Sequence, residues 1–140
     1  MTCGEIMIRT ISCCLPEDSI EHAAILMKTE DMGPIPVIES HASRRLIGTV
    51  TDRDLVVKGI AEGRDIKSTK IKDIMTDHPV TCLEDDDVKE AITLMTNYHV
   101  PRIPVVDERN QILGIIAQAD VTTRLGNEMR PGDVEKKVSE

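Results

Sequence analysis

Apolar residues recur at Ile20, Ala23, Ala24 and Met27, the i, i+3, i+4, i+7 spacing that gathers them on one face of a helix. Pro16-Glu17-Asp18-Ser19 precedes them. Asp18 or Ser19 can cap the helix, and Glu21 stands three residues after Asp18, so the orphan N–H groups of the first turn have acceptors. The pattern returns at Val88, Ala91, Ile92 and Met95, behind Asp86 or Asp87. Next in each case comes a short β-branched run with Pro near its start, Ile35-Pro36-Val37-Ile38 and Ile103-Pro104-Val105-Val106, where a strand tolerates a missing N–H. Turn-forming residues follow (Ser40-His41-Ala42-Ser43 and Asp107-Glu108-Arg109-Asn110), then a second apolar run over 46–50 and 112–116, which predicts two hairpins. Over 52–61 the period turns helical, with Leu55, Val56 and Ile60 on one side, and 120–125 does the same.

These elements are one unit written twice. Ile6-Met7, Cys14, Ala23, Met27 and Pro36-Val37 fall on Ile74-Met75, Cys82, Ala91, Met95 and Pro104-Val105 at an offset of 68. The offset drops to 66 at Gly48 on Gly114 and Asp54 on Asp120, the turn over 39–45 absorbing the two extra residues. Such a period implies two copies related by a pseudo-twofold axis. The polar, Gly-containing stretch 62–70 is an expected exposed linker. The division is then 1–70 for the first repeat with its linker, 71–126 for the second, and 127–140 for a charged tail, expected partly disordered with room for a short helix from Asp133.

Composition sets limits on this picture. With 140 residues, 40% of them apolar, and one Tyr but no Trp or Phe, the core is aliphatic. A net charge of −8 disfavours binding to a nucleic-acid backbone, although local Arg and backbone N–H groups can still hold a small anion at close range. No stretch is long and apolar enough to span a bilayer and no signal pattern opens the chain, so the expected location is the cytoplasm. Cys3, Cys13, Cys14 and Cys82 show no C-x-x-C spacing and are expected as thiols there.

Catalytic motifs are missing: there is no nucleophile elbow, Walker-type loop, H-E-x-x-H, or G-x-G-x-x-G after a strand. The run Glu84-Asp85-Asp86-Asp87 is explained by helix capping and the macrodipole before a hard cation is needed. Cys13, Cys14, Cys82, His78 and His99 are the candidates for a metal or redox site. Cys14 and Cys82, as symmetry mates, could approach one another, but small buried hydrophobes describe them better, and His22 and His41 are expected at the surface. No metal is expected.

Helix, strand, turn, strand, helix, twice, with I-P-V-[IV] in the first strand and G-x-[VI]-x-x-x-D after the second, resembles the cystathionine-β-synthase (CBS) domain, and two copies make a Bateman module. Thr51-Asp52-Arg53-Asp54-Leu55-Val56-Val57-Lys58-Gly59 is similar to small stand-alone CBS-pair proteins, including the hypoxic-response type. The resemblance covers residues 5–125 and implies an α+β fold of two β-α-β-β-α repeats, a homodimer, and a non-enzymatic regulatory role. It also implies adenosine-type ligands (AMP, ADP, ATP or S-adenosylmethionine) in clefts between repeats, with no cofactor required.

The family pattern falls on Gly48, Thr51 and Asp54, implying that Asp54 accepts from ribose hydroxyls while the Thr51 hydroxyl donates to phosphate. The spacing suits this chemistry, since residues three apart on a first turn share a face and a helix N-terminus offers N–H groups to an anion. In the second copy Ala117 replaces the hydroxyl, so Asp120 could still hold a ribose but phosphate binding weakens. Arg102, where the first copy has Pro34, is a phosphate candidate, as is Arg53, whereas a solvated helix face accounts for Lys58. The favoured site joins Thr51, Asp54 and Arg102. Ile11-Ser12 with Ile35-Pro36 would cradle the base in one site, and Val80-Thr81 with Ile103-Pro104 in the other. The rival expectations are a ligand-free dimeric scaffold docking on an unidentified regulated protein, which Ala117 and Pro34 favour, and a Cys/His metal or redox sensor.

Overall fold

A computed structural model describes residues 1–125; the expected tail over 127–140 and its terminal helix lie outside the described residues. In chain order the elements are α1 (Cys3–Ile6), α2 (Ile20–Glu30), β1 (Ile35–Ile38), β2 (Leu46–Val50), α3 (Asp52–Asp54) running into a π-helix (Leu55–Ile60), a 3-10 turn (Ile71–Asp73), β3 (Thr76–Asp77), β4 (Cys82–Leu83), α4 (Val88–Asn97), β5 (Arg102–Val106), β6 (Ile112–Ala117) and α5 (Gln118–Leu125). The mixed α+β class, both capped helices and both antiparallel hairpins match the expectation from sequence. No helix among the described residues is long and apolar enough to cross a membrane.

Two compact units form, and they cut across the sequence repeats: residues 12–79 make one, and residues 1–11 with 80 onward make the other. Each takes its first segment from the opposite copy. In the 12–79 unit the sheet order is β1-β2-β3, with β3 pairing antiparallel to β2 through Gly48↔Asp77 and Thr49↔Thr76. Ile71 N–H donates to Asp18 O and Ile20 N–H to Thr69 O, so the stretch expected as a free linker is tied to the start of α2 although its side chains are mostly exposed. The core is Cys14, Ile20, Ala23, Ile35, Val37, Val50, Ile71 and Ile74.

The other unit repeats the logic with the chain's own beginning. Gly4 N–H donates to Glu84 O, Cys3 N–H to Asp86 O, and Ile8 and Ile115 exchange backbone hydrogen bonds of 2.8 and 3.0 Å. Its sheet order is β4-β5-β6, β4 parallel to β5, over a core including Ile6, Met7, Val88, Ala91, Ile92, Met95, Ile103, Ile116 and Val121. The α4 stripe is buried at all four expected positions.

Two helical faces depart from expectation. In α2 only Ile20 and Ala23 are buried; Ala24 is exposed, because the helix meets β1 and the π-helix along a narrow seam. The segment after α3 is wound with i→i+5 bonding, as in Ala61 N–H to Val56 O. The wider turn points Gly59 inward, where an added Cβ would lie 3.2 Å from Ile20 Cδ1, and leaves Val56 and Ile60, expected on one side with Leu55, 54% and 65% exposed.

The motif glycines have a packing reason. A Cβ on Gly48 would stand 2.8 Å from Thr76 O and 2.9 Å from Met75 Sδ, and one on Gly114 would stand 2.7 Å from Ile8 O and 2.9 Å from Met7 Sδ. Only hydrogen fits beside the incoming backbone. Gly48→Ala and Gly114→Ala should therefore each lower stability by about 1–3 kcal/mol, the usual cost of overpacking, measured by urea unfolding; wild-type midpoints for both would contradict this packing.

Candidate functional site

At the end of β2, Thr51 adopts an extended conformation (φ −115°, ψ 164°) and caps α3. Its Oγ1 accepts from Asp54 N–H at 3.1 Å, and Asp54 Oδ2 accepts from Thr51 N–H at 2.9 Å, a reciprocal capping box. Asp54 is the buried polar residue of the described core, 7% exposed. Its other oxygen, Oδ1, stands 3.2 Å from Lys58 Nζ, which also donates to Ile74 O at 3.3 Å. Lys58, expected as a solvated side chain, is thus the counter-ion of a buried carboxylate one turn away. The Thr51 hydroxyl accepts once and retains its own proton to donate.

Around this junction, Ile35 is fully buried and Pro36 is buried, its carbonyl accepting from Cys14 N–H at 2.9 Å. Arg53 is exposed. Ser12 donates to Glu30 Oε1 at 2.7 Å, so its hydroxyl is already engaged. Gly48, Ser12, Ile35, Pro36, Thr51, Arg53 and Asp54 all belong to the 12–79 unit; Ile11, Thr81, Arg102, Ile103, Pro104 and Asp120 belong to the other.

In that other unit Arg102 opens β5 half-buried, and its register partner is Ala117 of β6. Ala117 is 6% exposed and continues the strand instead of capping, and Gln118 N–H donates to Pro101 O at 2.8 Å. Asp120 sits half-buried in the first turn of α5 and, among the described residues, has no reciprocal cap of the Asp54 kind. Ile103 and Pro104 are buried and Thr81 half-buried. In each unit the helix that follows the hairpin thus carries a motif Asp on its first turn, with a hydroxyl beside it in one case and an arginine on the neighbouring strand in the other.

A cavity of about 310 Å³ in the same unit is lined by Leu83, Glu84, Asp85, Val106, Asp107, Glu108, Arg109 and Gln111. It contains none of the expected nucleotide residues, and four carboxylates against one arginine make it unfavourable for phosphate. The neighbouring acids serve local structure: Asp86 Oδ2 accepts from Leu83 N–H, and Asp87 caps α4 through Lys89 N–H, both at 2.9 Å.

All four cysteines are free. Cys82 has Cys3 as its thiol partner: that hydrogen bond, with burial, pushes the Cys82 thiol up, and the same hydrogen bond draws Cys3 down against the opposing effect of burial. Cys14 is pushed up to about 12, chiefly by burial and secondarily by Asp18. The sequence reading missed what lies next to Cys14. Asp18 and His22 place a carboxylate oxygen and an imidazole nitrogen in a common cluster with its Sγ; the equal spacing of 14, 18 and 22 carried that signal, hidden because Asp18 reads first as a cap.

A family model described as CBS domain matches the chain twice, over residues 3–59 and 71–127. The chain is 35% identical over 136 residues to the uncharacterized protein YlbB of Bacillus subtilis (strain 168), covering 97% of this chain and 90% of that one. Hypoxic response protein I, crystallised with two coordinated zinc ions, is similar with a TM-score of 0.80 and 28% identity, covering 89% of this chain and 99% of that one. The CBS domain pair of protein MJ0100, in complex with 5-methylthioadenosine and S-adenosyl-L-methionine, is similar with a TM-score of 0.76 and 25% identity, covering 90% and 99%.

The capping box makes its own prediction. Thr51→Ala should cost about 0.5–2 kcal/mol, as loss of an N-cap does, and Asp54→Ala about 1–3 kcal/mol, because Thr51 N–H then loses its acceptor. Urea midpoints measure both, and variants as stable as wild type would show that the box contributes nothing.

Proposed function

The chain belongs to the CBS-domain family, and from that premise we propose that it is a non-enzymatic regulatory module binding an adenosine-type nucleotide: AMP, ADP, ATP or S-adenosylmethionine. The observation that carries the reading is the Gly48, Thr51, Asp54 motif set at a strand-to-helix junction, with Asp54 buried and Thr51 holding a free hydroxyl proton. Asp54 takes the ribose hydroxyls, because a carboxylate would repel the phosphate, and the Thr51 hydroxyl takes the anionic end. Lys58 adds positive charge beside the motif. Asp120 with Arg102 is a second candidate motif, weaker at the phosphate because Ala117 has no hydroxyl. Ile11, Ser12, Ile35, Pro36, Thr81, Ile103 and Pro104 are the proposed base and backbone contacts, and Arg53 a peripheral one.

The S-adenosyl-L-methionine and 5-methylthioadenosine held by the MJ0100 CBS pair support this ligand class. Regulation then requires that the nucleotide bind two arrangements with different affinity. A ligand-free scaffold is the second reading, favoured by the apolar side chains that the π-helix leaves exposed, Val56, Val57 and Ile60. The same surface supports a homodimer. The proposed setting is the cytoplasm, where the four cysteines remain thiols.

Isothermal calorimetry with the four nucleotides at millimolar ligand tests the proposal. At least one should bind, and Asp54→Ala, held well below its own melting temperature, should weaken it about 10- to 100-fold, since a hydrogen bond to a charged group contributes roughly 1.5–3 kcal/mol. Asp120→Ala should weaken it less. No heat from any nucleotide, with co-purification of a protein partner, would favour the scaffold; equal affinity in Asp54→Ala would remove the role given to Asp54.

A further inference from the structure

We propose that Cys14, Asp18 and His22 form a three-ligand site for a divalent metal of borderline softness, with Zn²⁺ the best match. Cys14 Sγ, a carboxylate oxygen of Asp18 and an imidazole nitrogen of His22 all lie within 4.8 Å of one another, and His22 Nε2 is 3.8 Å from Asp18 Oδ2. With Zn–S near 2.3 Å and Zn–N and Zn–O about 2.0–2.2 Å, ligand atoms on a tetrahedral ion stand about 3.3–3.7 Å apart. Closure therefore needs side-chain shifts of about an ångström, within reach of small χ rotations.

The backbone presenting these groups is pinned at all three positions. Cys14 exchanges hydrogen bonds with β1, its N–H donating to Pro36 O and its carbonyl accepting from Ile38 N–H, both at 2.9 Å. Asp18 donates to Leu15 O at 3.1 Å and accepts from Ile71 N–H at 2.8 Å. His22 lies on the first turn of α2, its N–H capped by Ser19 Oγ at 3.2 Å. The freedom left is in the side chains, of which His22 is 49% and Asp18 31% exposed, giving an ion a path from solvent to the buried sulfur. Leu15 N–H donates to Asp18 Oδ2 at 2.9 Å and orients that carboxylate as an outer-shell partner would.

Thiolate, imidazole and carboxylate together suit zinc better than a hard cation, and three protein ligands leave a fourth position for water. Binding replaces the thiol proton by the metal: the S–H bond breaks, an S–M bond forms from the same electron pair, and the proton passes to solvent. The nearby Lys70 and Lys72 are both held by Glu17, which limits their repulsion of an incoming cation.

Titration of the full untagged chain, stripped with chelator, by Co²⁺ and then Zn²⁺ tests the site. One equivalent of Co²⁺ should produce a thiolate-to-cobalt charge-transfer absorption that Zn²⁺ abolishes. Cys14→Ser should eliminate the band and Cys13→Ser should leave it. His22→Ala, at an exposed position, should weaken Co²⁺ binding at least about 10-fold, as damage to a metal shell does. Absence of the band at millimolar Co²⁺, its survival in Cys14→Ser, or unchanged affinity in His22→Ala would each overturn the proposal.

Discussion

The close approach of a second backbone to Gly48 and Gly114 is the constraint on which both units depend. Each hairpin's second strand needs a neighbour on its outer edge, and each obtains it from the segment that begins the other repeat: Thr76–Asp77 beside β2, and the bridge at Ile8 beside β6. Neither contact tolerates a Cβ on the glycine. Edge strands thereby become covered strands, and two stretches that are polar or short in sequence become structural. The interleaving follows from local geometry, because the leading segments find their strand partners across the copy boundary.

The same β2 and β6 strands then deliver the chain to a helix start, and here the copies diverge. Thr51 ends its strand by capping, which forces a sharp start to α3 and brings the Asp54 carboxylate back onto Thr51 N–H. Ala117 has nothing to cap with, so β6 continues through it and α5 follows at once. One missing hydroxyl changes the helix start as well as the donor inventory. The Gly in the motif is accounted for by packing, the Thr and Asp by capping, and only the buried placement of Asp54 exceeds what a helix start requires.

Much of this was legible in the pattern of apolar residues. The 3.6-residue stripe of α4, the β-branched hairpins and the duplication all follow from periods that a core imposes and a sequence displays. What was not legible arose from tertiary contact. Val56 and Ile60 face outward because Gly59 packs on Ile20 and the helix widens to allow it. Lys58 looks like a solvated residue until the fold buries Asp54 one turn before it. His22 is correctly placed on the polar side of α2, yet that side at its first turn faces the Cys14 sulfur. Single-element patterns place a side chain on a face; they do not say what another segment brings to that face.

Asp54 and Lys58 also bear on how an acidic chain could hold an anionic ligand. A net charge of −8 repels phosphate at long range, but salt screens that field over about 8 Å at physiological ionic strength. Within that distance the balance differs, since the Asp54 charge is already matched by Lys58 at 3.2 Å and half used by a backbone N–H. Ribose hydroxyls are neutral donors, so they could join this carboxylate without displacing its counter-ion, while a phosphate would meet the Thr51 hydroxyl. A buried carboxylate without Lys58 would instead meet the ligand as an uncompensated charge. The ion pair is therefore a condition for the motif to serve an anionic nucleotide, and the capping box holds its acidic half in place.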